Sequence, residues 1–251
     1  ISILLLTPAF GHDLDSLFLV VNSDASDLEK ARAYNEMARQ HWHSTDTCIM
    51  YSEKVIEHAS KVDNHELMGL ANHYIGIMWY EQHNMPKAVE FYNNALDQYL
   101  VDNDSNRIAL IYTSLGNVYE KIDDAKVALE NHKKSEKWHT HEAQGSLSYL
   151  YHNMAAVYKQ MNEMDSALFF YNKSISLKYE LGDSAGAAVT LNNLGNMYLD
   201  DKQFELAIDY YNQAIAIKRV HSSGHSLAVS LGNLGKLYVN QDRVALGLPL
   251  C

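Results

Sequence analysis

A single period constrains this chain more than any other feature. A small residue followed three positions later by an aromatic recurs as Gly76/Trp79, Gly116/Tyr119, Ala155/Tyr158, Gly195/Tyr198 and Gly235/Tyr238. The small residues are 40, 39, 40 and 40 positions apart. Twelve positions after each of the first four stands alanine: Ala88, Ala128, Ala167, Ala207. Sixteen after comes Tyr92, His132, Tyr171 or Tyr211, and nineteen after comes Ala95, Ser135, Ser174 or Ala214. The copy Leu191-Asn192-Asn193-Leu194-Gly195-Asn196-Met197-Tyr198 is the clearest of the set. Self-similarity at one fixed period is the mark of a stacked array.

Within each half of a copy, apolar residues recur at spacings of three and four, so each half is an amphipathic helix. Two such helices make a hairpin. The small residues belong where its helices cross, since only Gly, Ala or Ser lets two backbones approach so closely. The aromatics fill the space beside those crossings, each burial contributing roughly 1.5–3 kcal/mol.

The order small, aromatic, alanine, tyrosine, alanine resembles the tetratricopeptide repeat over most of the chain. Two departures stand out: the common repeat has about 34 residues, and the proline that usually closes it is missing. The long period is similar to that of kinesin light chains, spindle-orientation adaptors and many bacterial regulators. The resemblance implies an all-α fold, a right-handed α-solenoid of stacked antiparallel hairpins forming one continuous body.

Taken in order, residues 1–11 begin with the apolar run Ile1 to Phe10 and resemble the later part of a secretory signal. It is too short to span a membrane, which takes about 20 residues. Export, to the periplasm or to a membrane-tethered extracytoplasmic position, is the expectation; a cytoplasmic location is the alternative. Residues 12–25 read as a linker with an apolar patch from Leu17 to Val21. The array occupies 26–251, about five and a half hairpins, and reads as truncated within its last unit. Ser26-Asp27-Leu28-Glu29 is a capping box opening a degenerate first copy, with Ala38, His41 and Cys48 in the small, aromatic and alanine places. Pro86 suits the first turn of a helix. Asp123 or Asp124 caps another, and Gly182-Asp183 ends one helix and begins the next. Ser222-Ser223-Gly224 is the loosest junction, and beyond it Gly247 and Pro249 break the pattern.

A net charge of −11 argues against nucleic acid, which needs a basic stripe, and favours neutral or basic partners. Cys48 and Cys251 lie at opposite ends of the array and read as ordinary free thiols. Thirteen histidines invite a metal reading. His41 and His43, two apart on a helix, point roughly 200° apart, so they cannot share an ion. His139 and His141 fall in a loop and are the one pair worth testing. No Cys/His set has ligand spacing, and no phosphate loop, metalloprotease helix or nucleophile elbow is present. No metal, cofactor or enzymatic activity is expected.

What remains is a ladder of asparagines. Asn153, Asn193 and Asn233 stand two before the small residue, with Ser114 in that place one copy earlier; Asn117 and Asn196 stand one after it, with Lys236 in the last copy. Asn193 and Asn196 share a helix face, and it is not the face that carries Gly195 into the hairpin. By resemblance, first helices line the inner wall of such arrays, so these amides would project into a groove. An amide offers donor and acceptor alike and suits a peptide main chain of any sequence. In kinesin-light-chain-like and adaptor-like arrays, asparagines at this place hold peptides. The other reading of the ladder is that its amides bond neighbouring helices.

Two functions follow. The first is a scaffold that binds a protein or peptide segment in its groove. The second, from the resemblance to the front ends of bacterial histidine kinases and helix-turn-helix regulators, is a sensory input region whose signalling domain lies beyond Cys251.

Overall fold

The computed structural model describes residues 14–140, 143–221 and 224–241. Among them every regular element is an α-helix. The apolar run 1–11, His141, Ser222, Ser223, Gly247, Pro249 and Cys251 lie outside the described residues, and with them the expectations placed there. The chain forms two compact units, divided after Val118.

The first unit holds α1 (Leu14–Val21), α2 (Asp27–Gln40), α3 (Thr45–Ser60), α4 (His65–Glu81), α5 (Met85–Asp102) and most of α6 (Ser105–Lys121). α2 pairs with α3, and α4 with α5, as antiparallel hairpins. The capping box at Ser26 forms as expected: its side chain accepts from the Glu29 amide while Glu29 reaches back to the Ser26 backbone. Pro86 sits at the start of α5. Within the stretch read as linker, Leu14–Val21 is instead a helix, and Leu17 is buried against Ala33, Met37, Ala38 and Cys48. The degenerate copy therefore builds a core from the very residues that stand in its small and alanine places.

The second unit holds the end of α6 with α7 (Ala125–Trp138), α8 (Gln144–Gln160), α9 (Met164–Glu180), α10 (Ser184–Asp200), α11 (Phe204–His221) and α12 (Gly224–Asn240). α8 pairs with α9, and α10 with α11. The logic of small residue against large is visible in the distances. A Cβ added to Gly195 would stand 2.6 Å from the ring of Tyr211, and one added to Gly76, in the first unit, 2.6 Å from that of Tyr92. Ala88, Ala95, Ala167, Ala207 and Ala214 are fully buried.

Among the described residues seven turns share one construction. A residue with positive φ (Asp63, His83, Asn103, Asp123, Asn162, Gly182, Lys202) ends one helix. The amide of the next residue then donates to the carbonyl five residues back, as in Asn84 N to Trp79 O and Asp183 N to Lys178 O. That same next residue often caps the following helix: Asn64, Asn84, Asp124 and Asp183 each accept from a backbone amide three residues on. Turn and cap thus occupy two adjacent residues, which is why the period holds so steady.

Candidate functional site

The second unit contains a pocket of about 440 Å³ bounded by first helices of successive hairpins. The end of α6 contributes Glu120, with Asp123 just beyond it; α8 contributes Ala156, Lys159 and Gln160; α10 contributes Asn193 and Asn196; and Tyr171 of α9 forms part of the wall. Two of the ladder asparagines therefore line one cavity together. Asn153 precedes Ala156 by one helical step of three and is half-buried on α8. Asn233 joins the group through its amide, 3.4 Å from Asn196 Oδ1, and Lys236 is exposed three residues further along α12. Asn117 is half-buried on α6 in the first unit.

Asn193, Asn196 and Asn233 are half-buried and tied to neighbouring helices. Asn193 Nδ2 donates to His152 Nε2 at 3.1 Å, and His152 Nδ1 lies 3.1 Å from Thr190 Oγ1. Thr190 also accepts from the ammonium of Lys178 at 2.9 Å and donates to Gly186 O. These partners require the neutral His152 with its proton on Nδ1. Burial, aided by the charge of Lys178, pushes the pKa of His152 down to about 4, in keeping with that form. The same lattice recurs one copy on. Lys218 donates to Ser230 Oγ at 2.8 Å, Ser230 to Asn192 Oδ1 at 2.9 Å, and Asn233 Nδ2 lies 3.4 Å from Asn192 Oδ1. Lys178 and Lys218, Thr190 and Ser230, His152 and Asn192 are each 40 residues apart. Asn193 thus has a holding role besides the face it turns to the cavity.

Sequence reasoning missed these lysines, which are 1% and 3% exposed. A signal was present: a lysine followed by a hydroxyl twelve residues later, in two consecutive copies.

The charges of the pocket are unevenly answered. Lys159 Nζ is paired with Asp200 at 2.7 Å, and Asp123 accepts from Gln160 at 2.8 Å. Glu120 has no ion pair among the described residues, and burial raises its pKa despite the opposing pull of Lys121. The Tyr171 hydroxyl, held protonated by burial and by Glu120, is a further polar group of the wall. Among the described residues no group of three or more His, Cys, Asp or Glu is placed to hold a metal ion. His139 directs Nδ1 to the carbonyl of Ser135. Cys48 is buried and free. No described helix is long and apolar enough to cross a membrane.

Comparison with known proteins follows the same lines. Residues 146–220 and 186–245 match the family model described as tetratricopeptide repeat. No curated protein matches the sequence. Among solved structures the chain is similar to BtubC from P. vanneervenii, with 18% identity and a TM-score of 0.67 over 85% of this chain and 87% of that one. It is also similar to the apo form of RapI, with 12% identity and a TM-score of 0.72 over 94% and 87%. A third is the set of nearly identical repeats of a putative kinesin light chain from Podosopora anserina, with 15% identity and a TM-score of 0.62 over 77% and 98%. At these identities the likeness is one of fold. Residues 146–245 thus carry the tetratricopeptide-repeat match, and the hairpins within each unit and the forty-residue spacing of the copies that precede it are in keeping with the long-period variety of that repeat.

Proposed function

We propose that the chain is a non-enzymatic scaffold that holds a peptide or protein segment against the first helices of its second unit. The observation that carries this reading is the cavity in which Asn193 and Asn196 lie side by side, amides of the kind that hydrogen-bond a main chain regardless of its sequence. Small-ligand sites commonly occupy about 300–1,000 Å³, and this one, open along the helix face, suits part of an extended segment.

The test begins with peptides selected from a random heptapeptide display library against the intact chain. Asn193→Ala removes an amide from the cavity and a bond to His152, so its melting temperature is measured alongside affinity. Loss of one or two hydrogen bonds to the segment should weaken selected peptides about tenfold, with helicity unchanged. Peptides that bind the folded variant as tightly as the parent would refute the assignment of the cavity.

A further inference from the structure

The fourth copy differs from the fifth at one telling place. In the fifth, the Tyr211 hydroxyl donates to Asn196 Oδ1 at 2.7 Å. In the fourth, the residue equivalent to Asn196 is Ala156, which offers no acceptor. Tyr171, the equivalent of Tyr211, is only 2% exposed, its hydroxyl makes no hydrogen bond among the described residues, and it lines the cavity. The ring is buried while the residue lines the cavity, so its hydroxyl is left for a partner that enters there. Beside it stands Glu120, half-buried on α6 and in no ion pair among the described residues. Lys159, the one cation among the described residues of the cavity wall, is already engaged by Asp200.

Phenol oxygen and carboxylate are both acceptors, and together they describe a socket for a donor that carries positive charge. We propose that the bound segment inserts a lysine or arginine side chain here, its cationic head on the Glu120 carboxylate and the Tyr171 hydroxyl. The inference rests on the peptide-holding function proposed above and adds the chemistry of what is held. A cation on Glu120 offsets the desolvation of that carboxylate, and charge-assisted hydrogen bonds are the stronger kind. The net charge of −11 favours the approach of a basic segment in the same direction.

Glu120→Gln keeps size and removes charge; Tyr171→Phe keeps the ring and removes the hydroxyl. Both are compared with the parent by circular dichroism and melting temperature before use. Peptides selected on the parent should carry lysine or arginine at one fixed position. Glu120→Gln should weaken them about tenfold or more, and Tyr171→Phe severalfold. Norleucine in place of the peptide's basic residue should cost as much as Glu120→Gln, and the two changes together little more than either alone. Selected peptides without a basic preference, or an affinity indifferent to Glu120→Gln but still lowered by Asn193→Ala, would overturn the basic socket and leave the peptide-binding function standing. If no peptide is selected at all, both fall.

Discussion

At position 132, the third copy places histidine where the second, fourth and fifth have Tyr92, Tyr171 and Tyr211. His132 is fully buried, and neither of its ring nitrogens has a partner among the described residues. Burial lowers its pKa from 6.5 to about 4. A group whose folded pKa is depressed contributes its stability above the unfolded value and loses it as pH falls toward the folded one. The window here is pH 6.5 to 4, and the contribution lost across it is on the order of 3 kcal/mol. His132→Phe removes two unsatisfied nitrogens and the titration together. The variant should melt higher than the parent at pH 7, and its advantage should widen as pH is lowered from 6.5 toward 4. Urea unfolding at several pH values checks this; a constant difference would show that His132 does not titrate on unfolding. His73 and His152, both also lowered to about 4 by burial, retain their own acid sensitivity in the variant.

Among elements, the joints between consecutive hairpins of the second unit are the least expected. Lys178, near the end of α9, reaches Thr190 and Gly186 on α10; Lys218, near the end of α11, reaches Ser230 and Ser226 on α12. Burial drives the pKa of Lys178 down to about 8, against the pull of Asp183. Below pH 8 the ammonium is charged in folded and unfolded chains alike. Between about 8 and 10.5 the unfolded chain binds the extra proton, so stability from this group rises with pH. Lys178→Met keeps the stem and removes the buried charge, an exchange that is often neutral or stabilising. Relative to the parent it should be most stable near pH 7, with the difference shrinking as pH is raised through 8 to 10. Chemical denaturation at pH 7, 8, 9 and 10 reads this directly, and a difference that grows with pH would contradict the assignment. The helices themselves were legible because caps and turns leave local marks: the box at Ser26 and Glu29, Pro86, Asp124, Gly182-Asp183. α1 was not, since eight residues offer little more than two turns of pattern and its stability comes from Leu17 docking on α2. The lysines escaped notice for another reason. Lysine is almost always solvated, and nothing local to Lys178 announces a hydroxyl waiting on the next helix.

For the molecule as a whole, the excess of acidic groups sets how any basic partner is met. Attraction between −11 and a cationic segment is screened over about 8 Å at physiological ionic strength and about 3 Å at 1 M. Peptides selected for a basic side chain should therefore bind more weakly at 0.5 M salt than at 0.05 M, chiefly through slower association; equal association rates at both would show that the field plays no part. The asparagine ladder could be found in the sequence because it repeats with the period, but its double duty could not. Whether Asn193 faces a cavity or His152 depends on how closely α8 and α10 lie side by side, and that distance is fixed by residues some 40 positions apart. The Tyr171 hydroxyl was hidden likewise: the period already makes Ala156 and Asn196 equivalent, but only the structure shows that the Tyr211 hydroxyl bonds Asn196 and that Tyr171 lines the cavity. The lysine joints carry a practical corollary for anyone re-engineering the protein. Because every fastening residue has its counterpart at an identical offset, an editor could excise or duplicate one whole module between Lys178 and Lys218 and find matching bolt and thread at the new seam. A cut of any other length would leave the bolt facing blank wall.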